Sequence, residues 1–271
     1  MKIADFNIHL PDTSMSPSDW VKSEIQAAGK DIEKRLQLEI GSLMRWDGAC
    51  NLMLFNSSIV NNLFLTNLSQ MLPDKILTFT VLFNFRDENF ISELHRLKNA
   101  GISFIKLHSY IQKISKSDFN KLASVFSKCE ELKIGVCLDA SYGTKDILKY
   151  DNLKLFLICL RYMENQPVVV LHFGGARVMH FALASLGRDN VYFDLSFSID
   201  YFDNSRILED LYFSMNKIGF EKFLFGTDRP YISSNDTLRA FNKFSEKFSI
   251  TKDNQAKVLY GNFITLVDKV S

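Results

Sequence analysis

The feature that most constrains this chain is an alternation repeated eight times, a short β-rich run followed by an amphipathic stretch. The runs lie at 2–10, 49–55, 75–83, 102–108, 133–139, 167–172, 191–197 and 222–228. Each is rich in β-branched and aromatic residues, whereas the stretches between them carry apolar positions at helical spacing. Eight such units in 271 residues are what a (β/α)8 barrel requires. The rival architecture, a doubly wound open sheet, usually carries a Gly-rich turn after its first strand, and none follows here. There is no Pro-, Gly- or Ser-rich linker and no repeat. The sequence therefore predicts an α/β fold, one TIM-type barrel domain over 1–271, with extra C-terminal helices after about 250.

Local signals punctuate the helices. Ser16-Pro17-Ser18-Asp19, Ser117-Asp118 and Asn235-Asp236 have the character of helix starts, and Gly101 that of a C-terminal stop. The charge balance, 32 Lys+Arg against 31 Asp+Glu with no basic stripe, argues against a nucleic-acid partner. Four cysteines (Cys50, Cys129, Cys137, Cys159) form no CxxC pair and suit reduced thiols. The first ten residues lack the character of a signal peptide, and no apolar run approaches the roughly 18 residues of a membrane span. A cytoplasmic location is expected. The 24 Phe are assigned to core packing and not to a binding platform.

The chemistry sits at the ends of the strands. Asp5, Asn7 and His9 alternate with Ala4, Phe6 and Ile8, so strict pleating puts the polar set on the inner face of a barrel. Lys106 and His108 end the fourth run, Asp139 the fifth, His172 the sixth and Asp228 the eighth. An unsatisfied polar group inside a barrel costs about 1–3 kcal/mol, so this placement needs a reason. The C-terminal rim is where barrel enzymes keep their active sites. Arg177 and Arg229 are candidates to grip a substrate carboxylate, with a solvated helix position as the plainer alternative. His95 and His180 fall within helical stretches and suit the surface.

DFNIHL resembles the D-x-H-x-H opening of the amidohydrolase superfamily, in its amidohydrolase 2 branch of metal-dependent hydrolases and related decarboxylases. GISFIKLH, VVVLHFGG, NVYFDLS, FLFGTDRPY and LYGNF match that branch in order, so the resemblance runs nearly end to end. It implies a distorted barrel, a small-molecule substrate and a site that is often metal-loaded. It also implies acid/base work for His172, and for Asp228 metal binding and proton transfer from water. Relatives of this kind often associate, which makes a homo-oligomer an expectation too. Two departures stand out. Asn7 takes the place of the first family histidine, and Asp139 that of the histidine ending the fifth strand. The remaining set for a divalent metal is His9, Asp139 and Asp228. With an amide beside it, such a set suits Mn²⁺ better than Zn²⁺, or no ion at all.

The expected function is hydrolysis of a small polar substrate, a lactone, cyclic ester or amide. Asp228 would be the base, its pKa raised by burial, and Lys106 with His172 or an Arg would stabilise the oxyanion. Asn7, His108, Arg177 and Arg229 are the expected substrate contacts. The alternatives are a non-oxidative decarboxylase and a barrel that binds without catalysis. Loops at 10–20, 140–146 and 229–236 are expected to set the substrate.

Overall fold

The structure, a computed structural model, describes residues 2–9, 48–54, 57, 60–71, 75–142, 149–229 and 231–270. All eight expected strands are present: β1 (Ile3–His9), β2 (Gly48–Leu54), β3 (Ile76–Leu82), β4 (Phe104–His108), β5 (Gly135–Asp139), β6 (Val168–Leu171), β7 (Val191–Asp194) and β8 (Phe223–Leu224). They form one parallel sheet in chain order. Phe6 N–H donates to the Phe225 carbonyl at 2.9 Å and His9 N–H to that of Arg229 at 2.8 Å. The first strand thus meets the continuation of the last, and the barrel is nearly closed.

The described helices are α1 (Asn62–Met71), α2 (Phe90–Ala100), α3 (Phe119–Leu132), α4 (Asn152–Cys159), α5 (Val178–Ala184), α6 (Ile207–Ile218), α7 (Ser234–Lys247), α8 (Lys252–Ala256) and α9 (Asn262–Val270). Gly101 ends α2 in the left-handed region at φ 100°, its N–H on the carbonyls of Leu97 and Lys98. Two expected starts move. A short 3₁₀ turn precedes α3, and its cap is Ser115, which forms a reciprocal box with Asp118. The cap of α7 is Ser233, whose hydroxyl accepts from Asp236 N–H. The Ser16–Asp19 start lies outside the described residues. No helix among the described residues is long and apolar enough to cross a membrane.

Apolar packing divides into two clusters. The larger joins Ile8, Leu52, Ile105, Val136, Val170 and Phe193 of the strands to the helices. The smaller unites Ala4, Phe6, Phe104, Cys137, Val169 and Leu224 with Phe263, Leu266 and Val270 of α9. Phe6 stands edge-on to Phe104 at 5.6 Å and to Phe263 at 6.1 Å. Strict alternation in β1 therefore fails. Ala4 and Phe6 lie in the smaller cluster, whereas Ile8 lies in the larger. The cause is a register shift between Asp5 and Ile8 against β2, which adds a residue and reverses the facing of the rest of the strand. Asp5 consequently does not share the face of Asn7 and His9.

Candidate active site

A cavity of about 350 Å³ opens at the C-terminal ends of the strands, its floor made by His9, Lys106, His108, Asp139, His172 and Asp228. All six are buried. His9 closes β1, Asp139 closes β5, and Lys106 and His108 stand two apart on β4, so the pleat aims both the same way. His172 and Asp228 lie just beyond their strands with left-handed backbones, φ 58° and 55°. Phe197, on the cavity wall, does the same at 57°. Such angles are uncommon outside glycine and cost about 1–3 kcal/mol each, and they cluster where function over-determines the backbone. The HFGG motif now has a physical reason. Its chain stays at positive φ through Gly175, where a Cβ would lie 1.8 Å from the ring of Tyr142.

Two linked charge systems share the floor. In one, His9 Nε2 lies 3.0 Å from Asp228 Oδ1. In the other, Asp139 Oδ2 takes Lys106 Nζ at 2.9 Å, with His108 Nε2 at 3.5 Å and His172 Nε2 at 3.6 Å. Burial alone would raise Asp139. The cations of His108, Lys106 and His172, all present in acid, hold it well below the usual carboxylate range. Burial would likewise raise Asp228, but the His9 hydrogen bond and the charges of His172 and Lys106 win, and its pKa is lowered. The expected upward shift of Asp228 is thereby corrected. Burial opposes charge on His172 and Lys106 too, yet the carboxylates outweigh it: His172 is raised to about 9 and Lys106 is also raised. Burial dominates at His108, lowered to about 4, and at His9, also lowered. At neutral pH the floor holds two cations, two anions and two neutral imidazoles.

Beneath it lies a carboxylate that the sequence reading missed. Asp194 accepts from Asn7 Nδ2 at 3.2 Å, from the N–H of Ser196 at 3.2 Å, from the N–H of His172 at 3.4 Å and from the Ser196 hydroxyl. Ser196 in turn meets His172 Nδ1 through its carbonyl at 3.2 Å and its Oγ at 3.1 Å, fixing the ring. Gly226 is required here, because a Cβ would lie 2.0 Å from Asp194 Oδ1.

Not every expected contact reaches the cavity. Asn7 is fully buried, its amide donating to Asp194 and, at 2.8 Å, to Ser196 Oγ. Arg177 pairs with Asp151 at 2.9 Å and does not line the cavity. Arg229 does not line it either; its carbonyl closes the barrel against His9. His95 and His180 are exposed, as expected. Of the three loops singled out, Ser141, Tyr142 and Tyr231 contribute to the wall. Residues 10–20 and 143–146 lie outside the described residues. The rest of the wall includes Tyr110, Phe197, Tyr201 and Phe202. Phe197 and Phe202 thus line the cavity, Phe202 while also packing against the core, so the expectation that the phenylalanines serve core packing alone does not hold for these two.

The profile of a family described as amidohydrolase matches residues 61–267, most of the chain. The chain belongs to this amidohydrolase family. No functionally curated protein matches it. Among solved structures it is similar to an uncharacterised TIM-barrel protein of Bordetella bronchiseptica (19% identity, TM-score 0.73, 100% of this chain and 99% of that one). It is also similar to a probable 2-pyrone-4,6-dicarboxylic acid hydrolase of Acinetobacter baumannii with citric acid bound (20%, TM-score 0.69, 99% and 100%). A third is a dihydroxybenzoic acid decarboxylase of a Polaromonas species with manganese and 2-nitroresorcinol bound (16%, TM-score 0.65, 98% and 97%). At these identities the likeness establishes the fold.

In this member of the family the expected metal set does not fit an ion. The Lys106 ammonium sits 2.9 Å from Asp139, putting a positive charge where a cation would bind. Asn7 has turned its amide to Asp194 and Ser196. Among the described residues no three His, Cys, Asp or Glu side chains are arranged to hold a metal. Of the expected set of His9, Asp139 and Asp228, Asp139 is already engaged by Lys106, which balances the charge that a metal would.

Proposed function

We propose that this amidohydrolase opens a lactone or related cyclic ester by water attack, without a metal. The observation that carries the reading is the pairing of opposite roles on one floor. Asp228 is held ionised beside a neutral His9 3.0 Å away, while Lys106 and His172 are held cationic by Asp139. Asp228 takes a proton from water as the water oxygen bonds to the carbonyl carbon. An ammonium has three N–H donors and Asp139 engages one here, so Lys106 can stabilise the developing oxyanion. As the ring C–O bond breaks, His172 gives a proton to the leaving oxygen, and a hydroxy acid results.

A carboxylate below its ordinary pKa is always ready but only weakly basic. That favours activated carbonyls such as lactones over amides. The decarboxylase alternative draws on neighbours such as the manganese-bound enzyme, and the donor arrangement here gives it less support. The test is a panel of lactones, esters and amides assayed with the wild type and with Asp228→Asn. Hydrolysis of a lactone, cut by about 10²–10⁴-fold in the variant, is expected. A panel left untouched by the wild type, or an unaffected variant, would sink the reading.

A further inference from the structure

Each of the three imidazoles of the floor meets an aromatic ring of the wall edge-on. His108 and Tyr110 have centroids 4.2 Å apart at 79°, His172 and Phe197 5.8 Å at 81°, and His9 and Tyr231 6.0 Å at 70°. Tyr142, Tyr201 and Phe202 continue the same wall. The collar is tied to the floor, since the Tyr110 hydroxyl meets Ser141 Oγ at 2.8 Å and that hydroxyl donates to Asp139 at 2.5 Å. Tyr201 and Tyr231 stay 62% and 52% exposed at the mouth, where large rings leave apolar area in water unless something covers them. The floor below is polar but internally balanced. Lys106 and His172 both face Asp139, and Arg177 is engaged with Asp151 away from the cavity. A substrate with several carboxylates would bring charges for which the described lining has no unmatched cation. It would also have to seat them among apolar rings. The volume lies at the small end of the about 300–1,000 Å³ typical of ligand pockets.

Resting on the hydrolase reading above, we infer that the substrate is an uncharged lactone fused to a flat aryl ring, held face and edge by this collar with its carbonyl on the floor. The collar sets specificity through binding, and the floor supplies the chemistry.

The experiment compares kcat/KM for three probes: neutral chroman-2-one, a dicarboxylated chroman-2-one and the saturated δ-valerolactone. The neutral bicycle is expected to lead each of the others by tenfold or more. Tyr231→Ala and Phe197→Ala should each raise KM for it by about tenfold, with kcat nearly kept. A preference for the dicarboxylate, or equal use of the saturated ring, overturns the inference and leaves the hydrolase reading standing. If no probe is turned over, the hydrolase reading fails, and calorimetric binding of the same three compounds decides the inference alone. Tighter binding of the neutral bicycle, weakened by Tyr231→Ala, upholds it. No binding, or tighter binding of the dicarboxylate, rejects it.

Discussion

Thr227 is bonded twice to Asp5, by its N–H at 3.0 Å and its hydroxyl at 2.6 Å, across 222 positions of the chain. The residue so held immediately precedes Asp228, whose left-handed backbone needs an external constraint. Asp5 also accepts the N–H of Asn7, two residues before His9. One buried carboxylate therefore positions both members of the His9–Asp228 pair.

Burial raises Asp5 to about 7. An unfolded chain has released that proton by about pH 5, so between there and about 7 the folded protein binds more protons. Stability must then fall as pH rises through the window, by up to about 1.4 kcal/mol per unit. In Asp5→Asn, which mimics the protonated form, urea midpoints should fall less between pH 4.5 and 7.5 than in the wild type. Parallel curves for the two proteins would disprove the assignment.

Lys106 and Asp139 form an ion pair with side chains only 4% and 3% exposed. Removing one partner strands the other, so Lys106→Met should cost about 3–5 kcal/mol in chemical denaturation. Combining it with Asp139→Leu should restore part of that loss. A double variant as unstable as the sum of the two singles would mean that the charges are not coupled.

The pH profile of kcat/KM should be a broad plateau. Its acid limb falls below the ordinary carboxylate value, because Asp228 is lowered. Its alkaline limb falls near 9, where His172 loses its proton. Activity is lost upward through that limb because the cation is the working form, and His172→Gln should abolish the limb along with most of the rate. A profile centred on an ordinary histidine value would contradict the charge assignment.

Gly175→Ala places a methyl 1.8 Å from the Tyr142 ring at φ 52°. Backbone strain of about 1–3 kcal/mol and a displaced Tyr142 are expected. Together they should lower the melting temperature and raise KM for any collar-bound ligand. An unchanged melting temperature would show that the wall yields freely.

Because Lys106 already neutralises Asp139, zinc or manganese at tens of micromolar should leave the melting temperature unmoved, and elemental mass spectrometry should find less than one ion per chain. Binding to the folded state alone would raise it. A clear upward shift would restore the metal reading.

The strands were legible because barrel strands are buried on both faces and appear as short apolar runs. Polar residues ending those runs, from His9 to Asp228, were conspicuous for the same reason. The aromatic collar was not legible, since Phe197 and Phe202 in a loop look no different in sequence from core phenylalanines. The shift in β1 was also hidden, because alternation assumes an unbroken pleat and Phe6 follows Asp5 without any turn residue. The lowered pKa of Asp228 depends on His9, His172 and Lys106 from three other strands, so only assembly reveals it. Arg177 was open to either a substrate contact or a solvated helix position, and its pairing with Asp151, 26 positions away, is not written in the local sequence.

The closure of β1 against the continuation of β8 has a consequence for biosynthesis. As the ribosome emits this chain, the first strand appears early and finds β2, while its other edge stays open until the residues around Phe225 and Arg229 emerge. His9 meanwhile lacks Asp228 and Asp5 lacks Thr227, so two polar groups that the fold buries stay exposed until then. Pairing at such separation is slow to form. Nascent chains halted before residue 229 should thus be the species that chaperones hold, and activity should appear only as the ring shuts.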